Sequence, residues 1–197
     1  MGFRTFRYMA ESIFFNKQQN FWVGEVLETA ETLVGDYFRL DLGDLERFPY
    51  DLRTLADLER QEKTRKALAQ VCKYEYRKEA ELLNLRKREF YRICLQDDKI
   101  LNTIQAEPPS MLKTLLLYVL THELIHVTRF SLEPRRFHLD PREKGVEERF
   151  VHRMTYEILK SFKDRYIGPM LERYRPWWGA GGSDCREPDL DKSGEGV

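Results

Sequence analysis

Leu115–Phe130, "LLLYVLTHELIHVTRF", sets His122, Glu123 and His126 inside a run that is otherwise almost entirely apolar. Met111, Leu112, Leu115, Leu116, Leu117, Val119, Leu120, Leu124, Ile125 and Val127 cover nearly every side of the helix this spacing predicts, from Met111 to about Phe130 with Ser110 as its N-cap. A helix apolar all round belongs at the centre of a fold. Ionisable groups buried there cost several kcal/mol each unless a partner offsets their desolvation. Residues four apart on a helix lie nearly above one another, so His122 and His126 can reach one ion from one face. Glu123 is rotated away from the ligand positions but can reach a water on that ion. HExxH encodes this arrangement, two zinc ligands and a general base on one rigid element.

The rest of the chain narrows the setting. The 197 residues fit one domain, and 33 basic against 33 acidic residues leave no net charge pointing to nucleic acid or anionic lipid. Three cysteines, Cys72, Cys94 and Cys185, without CxxC spacing, argue against a disulfide framework and suit a reducing compartment. The N-terminus lacks a secretory signal, and the longest apolar run, "LLLYVL", is far below the ~20 residues that span a bilayer. The expectation is a cytoplasmic protein with no membrane and no nucleic-acid partner.

Working outward, Asn20–Val34 reads as a helix with Trp22, Val26, Leu27, Ala30 and Leu33 near one side, and "DYFRLDL" after it as a short strand. Between Pro49 and Pro108 there is no glycine or proline, and leucines recur at helical spacing, which predicts one long helix or two in series from about Asp51 to Lys87. "EFYRICL" and "KILNTI" alternate around "QDD", the pattern of a β-hairpin. The polar loop "SLEPRRFHLDPREKG" leads to a helix from about Val146 to Tyr166, and residues 176–197 read as a flexible tail on which Trp177 and Trp178 can dock.

A hydrolytic zinc site takes three protein ligands and keeps a fourth position for water. All four histidines lie between His122 and His152. The pattern HExxHxxGxxH is excluded by Arg129 and Leu132, so a carboxylate from the next helix, Glu147 or Glu148, is the better third ligand, with His138 as a further possibility.

HELIH followed by a glutamate on a second helix resembles the gluzincin branch of the zincin metallopeptidases. Many of those enzymes place the glutamate in Glu-x-x-x-Asp, whose aspartate supports a ligating histidine. Glu148 and His152 match that spacing with histidine in place of aspartate, whereas Glu147 pairs with Val151, which favours Glu148.

The resemblance covers about residues 90 to 165. It implies an α+β, zincin-like fold, mostly helical with a small β-sheet beside the HExxH helix, and the chain length sets this in a single domain over residues 1–175 whose first 85 residues match no known family pattern. It also implies Zn2+ on His122, His126 and Glu148, Glu123 as general base, and a peptide or protein substrate, with His138, Tyr156 or Arg136 as candidate oxyanion donors. The alternative is a zincin-fold binding or regulatory protein whose peptidase activity is absent or latent. A di-iron bundle would need a second Glu-x-x-His, and Glu123-x-x-His126 stands alone.

Overall fold

The structure, a computed structural model, describes residues 14–40, 49–76 and 88–177. Helix α1, Lys17–Phe38, begins at a capping box: Asn16 Oδ1 accepts from Gln19 N at 2.9 Å and Gln19 Oε1 from Asn16 N at 2.8 Å. Val23, Val26, Ala30 and Val34 form its buried stripe. The helix continues through Asp36, Tyr37 and Phe38, where the sequence pattern suggested a strand; Asp41 and Leu42 of that stretch lie outside the described residues.

Three strands follow: β1 (Tyr50–Arg53), β2 (Ala69–Tyr76) and β3 (Arg88–Leu95). They form one sheet of order β1-β3-β2, with β1 parallel and β2 antiparallel to β3. The helix expected from Asp51 to Lys87 is therefore replaced by two strands and short 3-10 turns at Leu55–Asp57 and Arg60–Glu62, while residues 77–87 lie outside the description. Tertiary contacts override the leucine spacing here. Leu55 and Leu58 pack with Cys94 in a small cluster of their own, and Leu68 and Val71 pack on the main core.

Buried polar side chains hold this irregular stretch to the sheet. Asp97 accepts from Leu55 N and from Phe15 N, both at 3.0 Å. Gln96 accepts from Thr64 N at 3.1 Å and donates to the Glu62 carbonyl at 3.0 Å. Glu62, fully buried, accepts from Arg92 Nη1 at 2.9 Å and from Tyr74 OH.

Helix α2, Asp97–Thr103, occupies the place of the second hairpin strand. Asp97 and Asp98 in its first turn favour a helix start, and Ile100 is buried beneath it. The antiparallel partner of β3 is thus β2.

The central helix α3 is Ser110–Leu132. Ser110 is its first residue rather than its cap; Pro109 stands at the N-cap position without a side-chain capping bond. Leu115, Leu116, Leu120 and Ile125 are fully buried. Helix α3 packs against α1, against β2 and against α4, Pro141–Leu159. Asp140 caps α4 through a box with Glu143, with Pro141 in the first turn, so α4 starts before Val146. It ends at Leu159, and a separate short helix, α5 (Ile167–Tyr174), follows. The fold is α+β, mostly helical with a small sheet beside α3. Among the described residues no helix is long and apolar enough to cross a membrane.

Candidate metal centre

His122 and His126 project from one face of α3, their ring centroids 4.9 Å apart. Both are almost wholly enclosed, as is Glu123. Helix α4 brings Glu148 across from them. His122 Nε2 lies 3.4 Å from Glu148 Oε2, and His126 Nε2 lies 3.3 Å from Glu148 Oε1. One donor atom from each of the three falls within 4.8 Å of the others, the only such group of three among the described residues.

Packing orients the two rings. His126 lies 5.2 Å from Phe130, and His122 lies 4.4 Å from His152, centroid to centroid. The Nδ1 atoms of His122 and His126 are buried with no hydrogen-bond partner among the described residues. Ligating histidines usually have their second nitrogen bonded, so this site departs from that habit.

Charge follows geometry. Burial pushes the Glu148 carboxyl up, but His126 and His122 outweigh it and hold the group far below the usual carboxylate range. Burial acts against the His126 cation, yet Glu148 raises its pKa above the usual value. Glu123 is raised by burial against the pull of His122 and His126. A carboxylate with a raised proton affinity beside two imidazoles is suited to accept a proton and release it again.

Glu147, one residue before, faces elsewhere. Its carboxylate accepts from Arg129 Nε at 2.5 Å, from Arg129 Nη2 at 2.8 Å and from Arg136 Nη1 at 2.9 Å. Burial pushes this carboxyl up, and the two cations outweigh it and hold it below its usual range. Arg136 also pairs with Glu133 at 2.6 Å, which occupies one of the three expected oxyanion donors. His138 lies at the end of the 3-10 turn Pro134–His138, edge-on to Phe137 at 5.4 Å and outside the three-residue group. Tyr156 is partly buried against the core.

An aromatic wall absent from the sequence-based expectations borders the site. Tyr118 OH and His152 Nδ1 are 2.8 Å apart, Tyr118 stacks on Tyr174 at 4.2 Å, and Trp177 lies 5.5 Å from His152. Burial, followed by the neighbouring His122, lowers the His152 pKa to about 2, so its ring is neutral. Tyr118 stands four residues before His122 on α3, and that spacing was the available signal. Trp177 docks as expected; residues from Trp178 onward lie outside the description.

No family model matches the chain, and neither the curated proteins nor the solved structures contain a significant match. The three-residue cluster and its surroundings are what the structure itself contributes. Two imidazole nitrogens and a carboxylate at these separations suit a zinc ion or another divalent metal that accepts mixed nitrogen and oxygen donors.

Proposed function

We propose that the protein is a zinc metallopeptidase of zincin type, cytoplasmic and acting on peptide or protein substrates, with His122, His126 and Glu148 as ligands and Glu123 as general base. The observation that carries this reading is the convergence of both Nε2 atoms on the two oxygens of Glu148. A bound zinc supplies an activated water and a Lewis acid for the scissile carbonyl. Glu123 takes a proton at its carboxylate and returns it to the leaving amine. Enclosure of Glu123 in α3 fixes its position and limits competing water. His152, neutral and held by Tyr118, packs against His122 and keeps that ring in place.

The test pairs metal analysis with a peptide-library screen. The expected result is one zinc ion per chain in purified protein, together with cleavage of library peptides. Glu123→Gln keeps the metal and loses about 10²–10⁴-fold in rate. Protein that takes up no metal would remove the site. Full occupancy with no cleavage would instead favour a binding or regulatory role, and cleavage unchanged in Glu123→Gln would remove Glu123 as the base.

A further inference from the structure

Cys72 and Cys94 lie on neighbouring strands, Cys72 opposite Arg92 and Cys94 opposite Gln70, which makes them diagonal neighbours on one face of the sheet. Both are free thiols. Cys94 donates to Cys72 Sγ across 3.8 Å, and Gln70 Nε2 donates to the same sulfur across 3.7 Å. Cys72 Sγ is therefore the acceptor of two hydrogen bonds, with Arg92 as its cross-strand neighbour. Both bonds favour the thiolate at Cys72, while the Arg92 charge beside it is shared with Asp51 and Glu62.

The two sulfurs differ in access and in acidity. Cys72 is half-buried and Cys94 is fully buried. The bond from Cys94 lowers the Cys72 pKa, opposed by burial, Glu62 and Glu123 and aided by Arg92. The bond it donates, then burial, raises the Cys94 pKa.

We propose that Cys72 and Cys94 form an oxidisable dithiol, with Cys72 as the sulfur that attacks a peroxide and Cys94 as the resolving thiol. In the first step the Cys72 thiolate attacks one peroxide oxygen; an S–O bond forms, the O–O bond breaks, and the leaving hydroxide takes up the proton that Cys72 gave to solvent. In the second, Cys94 sulfur attacks Cys72 sulfur; the S–S bond forms, the S–O bond breaks, and the departing hydroxide takes the Cys94 proton as water. Two thiols are oxidised to one disulfide and one hydrogen peroxide is reduced to two waters. Closing the 3.8 Å contact to a bond of about 2.05 Å needs a movement of about 1.8 Å, shared between side-chain rotation and a small backbone shift. Diagonal strand neighbours stand about 7–8 Å apart at Cα, beyond the usual disulfide span of about 4.4–6.8 Å, so the bridge draws the two strands together locally and is a strained, readily reduced one. Neither step involves a bound metal.

The experiment uses the full chain carrying Cys185→Ser, which leaves only the pair. Hydrogen peroxide is added, free thiols are alkylated, and the unreduced digest is mapped by mass spectrometry. The expected product is an intramolecular link between the Cys72 and Cys94 peptides, reversed by dithiothreitol. Before oxidation Cys72 alkylates at least about tenfold faster than Cys94. In Cys94→Ser a 1,3-dione captures the sulfenic acid at Cys72. Both thiols still alkylatable after peroxide, a link only between chains, or Cys72 driven to the sulfinic acid beside a free Cys94 would each overturn the proposal. The mapping result needs no substitution in the core, so poor folding of Cys94→Ser leaves it decisive.

Discussion

Glu147→Ala and Glu148→Ala, made separately, should fail in opposite ways. Glu148 faces the two histidines, and its side chain keeps 48% of its surface exposed. Apparent zinc binding energies start near 10 kcal/mol; divided over three ligands, losing one costs about 3 kcal/mol, or roughly 10²-fold in affinity. At zinc about 100 times the parent dissociation constant, metal stabilises the parent by about 2.7 kcal/mol and the Glu148→Ala chain by only about 0.4 kcal/mol. The metal-free stability of that variant changes by about 1 kcal/mol or less, as for a partly exposed pair. Glu147→Ala instead strands the Arg129 guanidinium, whose side chain is 13% exposed. Removing one partner of a buried ion pair costs about 3–5 kcal/mol, and the lower end applies because Arg136 keeps Glu133. Urea unfolding of the metal-free proteins reads the stability arm, and competition with a chromophoric chelator reads the metal arm. Loss of metal binding in Glu147→Ala at near-parent stability, with Glu148→Ala still binding tightly, would refute the assignment.

Two further predictions concern the scaffold. Burial opposes ionisation of Glu62, but Tyr74, the Glu59 amide and Arg92 outweigh it and hold the carboxyl below its usual 4.5. Its stabilisation is therefore complete above the unfolded-state value and is lost as pH falls through the lower folded value. Glu62→Gln should cost about 3 kcal/mol at neutral pH and flatten the acid limb of a stability–pH profile. An acid limb unchanged by the substitution would show that Glu62 does not contribute to it. Leu120→Ala, at a fully buried position of α3, should cost about 2–5 kcal/mol in urea unfolding; a loss under about 1 kcal/mol would mean that the helix is not central.

The parts of the fold legible in the sequence are those fixed by local pattern. Helix α3 reads correctly because its apolar coverage leaves no other placement, and β3 reads correctly because "EFYRICL" carries aromatic and β-branched residues. Strands β1 and β2 do not. Their positions depend on pairing with β3 between residues far apart in sequence, such as Asp51 opposite Arg92 in β1 and Val71 opposite Ile93 in β2. No window of periodicity contains such pairs. The pair Asp97-Asp98 illustrates a local signal with two readings, since acidic residues suit both a turn and the first turn of a helix.

The choice between Glu147 and Glu148 had a physical signal in the motif helix itself. Arg129 follows His126 by three residues on a helix that is enclosed along most of its length. A guanidinium enclosed there requires a carboxylate as strictly as the imidazoles require a partner. Consecutive residues on α4 point about 100° apart, so one helix cannot turn both glutamates to the same group. Once Arg129 and Arg136 take Glu147, Glu148 is the carboxylate left facing His122 and His126. The buried imidazoles and the guanidinium on α3 thus sort two adjacent acids on α4, and both pairings tie the two helices together beside their apolar packing.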